Sequence, residues 1–299
     1  MPELPEVEVV RRGLEQHVLG RHIRDVDLRG HRVARRHPGG ASDLADRVRD
    51  TQIQSIQRRG KYLWFVLSDG RSGDPSAGGE MGALVVHLGM SGQFRVCEHG
   101  MPEPRHTHAV LTFDDGGPSL VFADQRTFGG FAFSELGAHG IPALIAHIAP
   151  DPFDPAYDQR GVVRRLVTRN SAIKRGLLDQ GLVSGIGNIY ADEALWRARV
   201  HGERMASTLS KAVLGRILDQ AREVMGEALA QGGTSFDALY VNVNGESGYF
   251  DLRLRAYGQE GRPCERCGTP IRREHFMNRS SFFCPRCQPP PRSSKAAST

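Results

Sequence analysis

The sequence predicts an α+β protein from three features: an amphipathic helix at its start, a run of short strands behind it, and a group of helices followed by four paired cysteines. A chain of 299 residues suits two modest domains. With 39% hydrophobic residues it can fill their cores. The expected architecture is an N-terminal β-sandwich with a leading helix, then a C-terminal helical module and a zinc finger.

The elements follow from local pattern. Residues 3–19 form one helix, because Val7, Val10, Leu14 and Val18 recur at helical spacing and Gly20 stops it. Pro5 is tolerated in a first turn, and Glu3 and Glu6 suit the positive end of the helix dipole. Strands are expected at 62–67, 83–88, 93–96, 109–113, 119–123 and 129–133, with a hairpin turn at Asp114–Pro118. The Gly-, Ser- and Asp-rich segment 68–80 reads as a surface loop. These elements fill residues 1–136. The Pro- and Asp-rich segment 137–160 reads as a hinge linker. Helices are expected at 171–180, 188–198 and 207–230 within a module covering 161–250. A finger follows at 251–288, and 289–299 is a tail with the composition of a disordered segment.

Charge and cysteine content narrow the function. The net charge is +5, and residues 253–299 carry ten basic and three acidic residues, a balance of +7. A cationic segment on a near-neutral body points to a polyanion, although it can equally keep a tail soluble. No apolar run is long enough to span a membrane, and MPELPEVEVV lacks the basic and apolar regions of a secretory signal, so a cytoplasmic location is expected. Cys264 and Cys267, and Cys284 and Cys287, are two C-x-x-C pairs separated by sixteen residues. Four thiolates at that spacing close a tetrahedral Zn²⁺ site and leave no position for substrate, so one structural zinc is expected. Arg272, Arg273 and Arg279 lie between the pairs, where a rigid hairpin can present a guanidinium to phosphate.

Two further segments carry chemistry. In DQGLVSGIGNIYADEAL, glycines precede a helix for which Asn188 is the expected N-cap. A helix start of this kind can hold a phosphate, although an ordinary capped helix reads the same way. At the N-terminus, removal of Met1 would leave Pro2 with a secondary amine, which can attack a sugar carbon of aldehyde character. Glu3 beside it can move protons. On pattern alone, a Pro- and Glu-rich helix start is the simpler reading. Lys61 is a second candidate amine.

In order along the chain stand PELPEVE, RRGKYL, HLGMSG, DQRTFGG, IKxxLLDQ, GIGNIYADE and the finger CxRCGTPI…RSSFFCPxCQ. Together they resemble the formamidopyrimidine-DNA glycosylase family over nearly the whole chain. The resemblance implies that the helical module is a helix–two-turn–helix. It implies a base-excision repair enzyme that removes oxidised purines (8-oxoguanine and formamidopyrimidines) from damaged double-stranded DNA, with an AP lyase step. Pro2 would be the nucleophile, Glu3 the general acid/base, and Glu6 a support for the N-terminus. Lys61, His87, Asn188 and Arg279 would grip phosphates, and Lys174 would lie near the site. Met90, Arg126 and Phe128 would fill the gap left by the everted nucleotide.

Leu4 is typical of the formamidopyrimidine branch. Three departures from the family pattern are a threonine at 127 where arginine is common, Met277-Asn278 before Arg279, and a long 68–80 insert. A monomer is expected. An oxidised-pyrimidine glycosylase and a non-catalytic damage sensor are the alternative functions. The lesion-reading loop is expected within residues 232–248.

Overall fold

The structure, a computed structural model, describes residues 2–69, 80–232 and 254–291. The chain divides into two compact units, residues 1–147 with 228–251 and residues 148–227 with 252–299. Met1, most of the 68–80 insert, most of the expected lesion-reading loop and the end of the tail lie outside the described residues.

The first unit begins with α1 (Leu4–Val18), followed by β1 (His22–Leu28), α2 (Gly40–Val48) and β2 (Thr51–Arg59). Six more strands follow: β3 (Tyr62–Asp69), β4 (Glu80–His87), β5 (Gly92–Cys97), β6 (Thr107–Phe113), β7 (Ser119–Asp124) and β8 (Gly130–Ser134). All eight join in one antiparallel sheet in the order β5-β7-β6-β1-β2-β3-β4-β8. The two edges of the sheet curl toward each other. Phe94 of β5 stacks on Phe131 of β8 with ring centroids 5.9 Å apart, and Phe122 lies 4.9 Å from Phe131. The expected sandwich is thus a single continuous sheet folded over a shared core. The apolar stripe of α1 (Val7, Val10, Leu14, Val18) and the inward face of α2 (Leu44, Ala45, Val48) seal that core.

Two strands and one helix of this unit have no counterpart in the sequence reading. β1 buries only Ile23 and Val26 among its charged residues. In β2 the apolar Ile53 and Ile56 are three residues apart because the register shifts between Ile53 and Ser55. That irregularity erases the period-2 signal of a half-buried strand. α2 is nine residues long and starts at glycines.

The second unit contains α3 (Gln159–Leu166), α4 (Ile173–Leu177), α5 (Asn188–Ala198), α6 (Lys211–Ala230) and a hairpin of β9 (Arg272–Phe276) and β10 (Arg279–Phe283). α3 starts inside the segment expected to be linker, where the Asp158 carboxylate accepts the Gly161 N–H at 2.9 Å as N-cap. The N-cap of α5 is Gly187, and Asn188 is its first helical residue. The expectation that Asn188 caps this helix is therefore corrected. An amide needed elsewhere does not have to close the helix, because glycine also serves at an N-cap. Among the described residues, no helix is long and apolar enough to cross a membrane.

Candidate nucleic-acid interface and zinc centre

In the first unit the start of α1 is buried. Pro2 is covered, and Glu3 and Glu6 are only 2% and 4% exposed. Glu3 is the N-cap of α1, and Glu6 Oε2 accepts the Glu3 N–H at 2.8 Å in a capping box. This holds the Pro2–Glu3 segment in one conformation.

Lys61 follows the tight turn between β2 and β3 and is also buried. That turn is tied to α1 by an ionic chain. Glu8 accepts from Arg58 Nε at 3.0 Å, and Arg58 Nη1 donates to the Gly60 carbonyl at 3.1 Å. Glu8 also holds Arg11 and Arg12. Burial raises the Glu8 carboxyl, but Arg11 and Arg58 outweigh it and hold the group below the usual carboxylate range.

His87 ends β4 opposite Tyr62, which places it beside the Lys61 turn. On its other side it pairs with Gly130 of β8. Its Nδ1 accepts the Gly89 N–H at 3.0 Å, so a neutral ring carries its proton on Nε2. Burial first, then Arg36, Lys61 and Arg35, push its pKa down to about 4.

Next to His87, two loops meet backbone to backbone. A Cβ at Gly89 would stand 2.3 Å from the Gly129 nitrogen, so the approach requires glycine, which also accepts the φ of +66° found there. The first loop carries Met90, half-buried. The second carries Arg126 and Phe128, both exposed, with the Arg126 guanidinium 5.4 Å from the Phe128 ring centre. The buried Asp124 carboxylate organises both loops. It accepts Ser91 Oγ at 2.5 Å, the Arg126 N–H at 3.2 Å and the Gly129 N–H at 2.7 Å.

In the second unit one face of α5 fastens the finger. Asn188 Nδ2 donates to the Ser280 carbonyl at 2.9 Å. Asp192 accepts Ser281 Oγ at 3.2 Å and the Phe282 N–H at 3.0 Å. Glu193 Oε1 accepts the backbone N–H groups of Arg255, Ala256 and Tyr257 at 2.8–3.0 Å. One turn on, Arg266 stacks 3.7 Å over the Trp196 ring and donates to the Trp196 and Arg197 carbonyls at the helix end. Burial pushes the Asp192 and Glu193 carboxyls up, opposed by these donors and, at Asp192, by Lys174. The Lys174 Nζ lies 2.6 Å from Asp192 Oδ1 with the two side chains 0% and 1% exposed.

Arg279 opens β10, after the Met277-Asn278 turn in which Met277 adopts φ +54°. With Arg169, Arg175, Asp179 and Met277 it lines an open basic pocket of about 530 Å³.

The Sγ atoms of Cys264, Cys267, Cys284 and Cys287 all lie within 4.8 Å of one another, and Cys267 Sγ is 3.5 Å from both Cys284 Sγ and Cys287 Sγ. A Zn²⁺ ion bound at ~2.3 Å to four sulfurs needs edges of about 3.8 Å, so the cluster fits it. Cys264 and Cys284 share an apolar core with Trp196, Ala256 and Ile271.

The comparisons with known proteins agree along the chain. Residues 1–131 match the formamidopyrimidine-DNA glycosylase N-terminal domain, residues 148–238 its H2TH domain, and residues 261–290 the zinc finger found in FPG and IleRS. A formamidopyrimidine-DNA glycosylase of Mycolicibacterium vanbaalenii is 57% identical over 296 residues, covering 98% of this chain and 100% of that protein. The chain belongs to the formamidopyrimidine-DNA glycosylase family.

Among solved structures, a complex between Lactococcus lactis Fpg and DNA containing an abasic site has a TM-score of 0.81 at 31% identity, covering 96% of this chain and 100% of that one. MutM in complex with DNA containing carbocyclic 8-oxo-G has a TM-score of 0.82 at 32% identity, covering 97% and 100%.

As in the finger of this family, the four cysteines form a structural zinc site. Within the first unit, Lys61, His87, Met90, Arg126 and Phe128 lie on adjoining turns. Within the second, Asn188 and Arg279 lie on α5 and the finger hairpin. Lys174, expected near the site, lies buried between α4 and α5. Its buried ammonium pairs with Asp192 and donates to the Ser280 carbonyl at 3.4 Å, so it ties α4 and α5 to the hairpin. Sequence reasoning missed Asp124, Ser91, Asp192 and Glu193. The last two had a signal: consecutive acids inside an otherwise apolar helix, IYADEALW, are buried unless the helix face is wet.

Proposed function

We propose that this chain is a base-excision repair glycosylase for oxidised purines in duplex DNA, with AP lyase activity carried by Pro2. The observation that carries the reading is the buried Pro2–Glu3 segment at the head of α1, in the same unit as the Met90, Arg126 and Phe128 loops. With Met1 removed, Pro2 presents a secondary amine. Burial and the positive end of the α1 dipole both favour the neutral amine over its protonated form, as a nucleophile requires.

The amine attacks C1′ of an everted nucleotide, and the damaged base leaves with its bonding electrons and takes up a proton. The product is an iminium, from which β- and then δ-elimination cut the two flanking phosphodiester bonds. Glu3 gives and takes the protons of base departure and ring opening. Met90 and Phe128 fill the vacated space, and Arg126 donates to the orphaned base, with cytosine preferred. Lys61, His87, Asn188 and Arg279 hold the phosphates.

Borohydride reduction on abasic DNA tests this. The expected result is a covalent adduct that peptide mapping places at Pro2. No adduct, or one at Lys61 alone, overturns the mechanism. A panel of lesion duplexes tests the substrate, and faster removal of pyrimidine lesions would overturn the purine assignment.

A further inference from the structure

The loop carrying Arg126 and Phe128 is held from outside its own hairpin. Arg35, from the segment between β1 and α2, donates through Nη1 to the Thr127 carbonyl and through Nη2 to the Phe128 carbonyl, both at 2.6 Å. Arg32 Nη1 donates to Thr127 Oγ1 at 2.9 Å. The two segments are stitched further by the Phe131 N–H, which donates to the Val33 carbonyl at 2.7 Å. Thr127 itself sits at φ +55°, a conformation that a β-branched residue holds only where its surroundings impose it. This is also the position where arginine is common in the family pattern. Here the positive charge comes to the loop from the neighbouring segment instead.

We propose that Arg32 and Arg35 are positioning residues that fix the Thr127–Phe128 backbone and thereby set the discrimination of the base opposite the lesion. The proposal rests on the assignment of Met90, Arg126 and Phe128 made above. A guanidinium is the group required. Its planar fork reaches two successive carbonyls at once, whereas an ammonium is a single point of charge without that match. With both carbonyls pinned, the Phe128 ring and the Arg126 guanidinium meet the duplex already oriented, and little entropy is lost on insertion. Arg32 and Arg35 are exposed, so their removal leaves the core of the sheet intact.

The test uses the full chain and the variants Arg35→Ala, Arg35→Lys and Thr127→Val. Single-turnover excision of 8-oxoguanine is measured opposite cytosine and opposite adenine. Insertion is followed by 2-aminopurine fluorescence opposite a stable abasic analogue. Borohydride trapping on a single-stranded abasic oligonucleotide, which has no opposite base, is the reference. In Arg35→Ala the cytosine-over-adenine ratio falls about tenfold, the size expected when one oriented base contact is lost. The fluorescence change shrinks, and single-strand trapping is unchanged. Arg35→Lys restores little of the ratio, and Thr127→Val lowers it by roughly two- to threefold, as for one neutral hydrogen bond. An unchanged ratio in Arg35→Ala, or full recovery in Arg35→Lys, overturns the clamp. A wild-type chain that traps but excises equally opposite every base overturns both the assigned wedge and the clamp built on it.

Discussion

The Met90 and Arg126–Phe128 loops of the first unit and the finger of the second solve the same problem, a few side chains to be aimed, by different physical means. The loops are pinned by one carboxylate, Asp124, and by exposed guanidinium groups, each making separate hydrogen bonds. The finger is held by a metal, an apolar core and a seam of buried acids along α5. Losing one loop bond leaves the others in place. Losing one partner in the seam strands a charge in a dry interior. The first arrangement can be adjusted locally, and the second stands or falls as a unit.

The largest expected effect separates the two directly. Chelating the zinc, or Cys264→Ser, should abolish duplex DNA binding while the sheet of the first unit stays folded. Binding assays paired with circular dichroism check this, and undiminished binding after verified metal loss would show that the finger does not need its brace. Next, Asp192→Leu should destabilise the second unit by about 3–5 kcal/mol, because it removes the carboxylate that faces the buried Lys174 ammonium. The double change Lys174→Met with Asp192→Leu should recover much of that loss. Thermal unfolding and hydrogen exchange across residues 272–283 report it. An additive double variant would mean that the pair is not a coupled tie.

A smaller effect concerns acid. His87 and His201, one in each unit, both have pKa values pushed down to about 4, mainly by burial. Unfolded, each takes up a proton near 6.5, so between pH 6.5 and about 4 the unfolded chain binds more protons than the folded one. Stability from this source is complete above that window and declines as pH falls through it. Each histidine should contribute on the order of 1–2 kcal/mol, and denaturant titrations of His201→Gln against wild type at pH 7 and pH 5 measure its share. A smaller gap between the two chains at pH 5 than at pH 7 is the expected result, and a constant gap rules out the linkage. The smallest change is expected from Lys61→Ala, which should lower the slope of log affinity against log salt by about 1. An unchanged slope removes Lys61 from the phosphate contacts.

Much of this was legible in the chain. The metal ligands, α1, α5, α6 and six of the strands follow from spacing and periodicity, and the ordered motifs carry the family. What was not legible has physical causes. β1 and β2 bury too few residues, and at too irregular a spacing, to show an alternation. Lys174 looks like any basic residue near a phosphate site until Asp192, eighteen positions on, is found 2.6 Å from it across two helices. Asp124 reads as the end of a strand, because its three acceptor bonds go to neighbours that only the folded loops bring close. Local pattern encodes which face is apolar. It does not encode which distant donor an isolated carboxylate will meet.

The ring of His87 has one nitrogen occupied by a backbone amide, and burial keeps it uncharged near neutral pH. What it can offer a nucleic acid is one directed proton without a net charge, so no counterion need be expelled when it docks. A contact of that kind would persist in brine, where contacts made by cationic residues weaken.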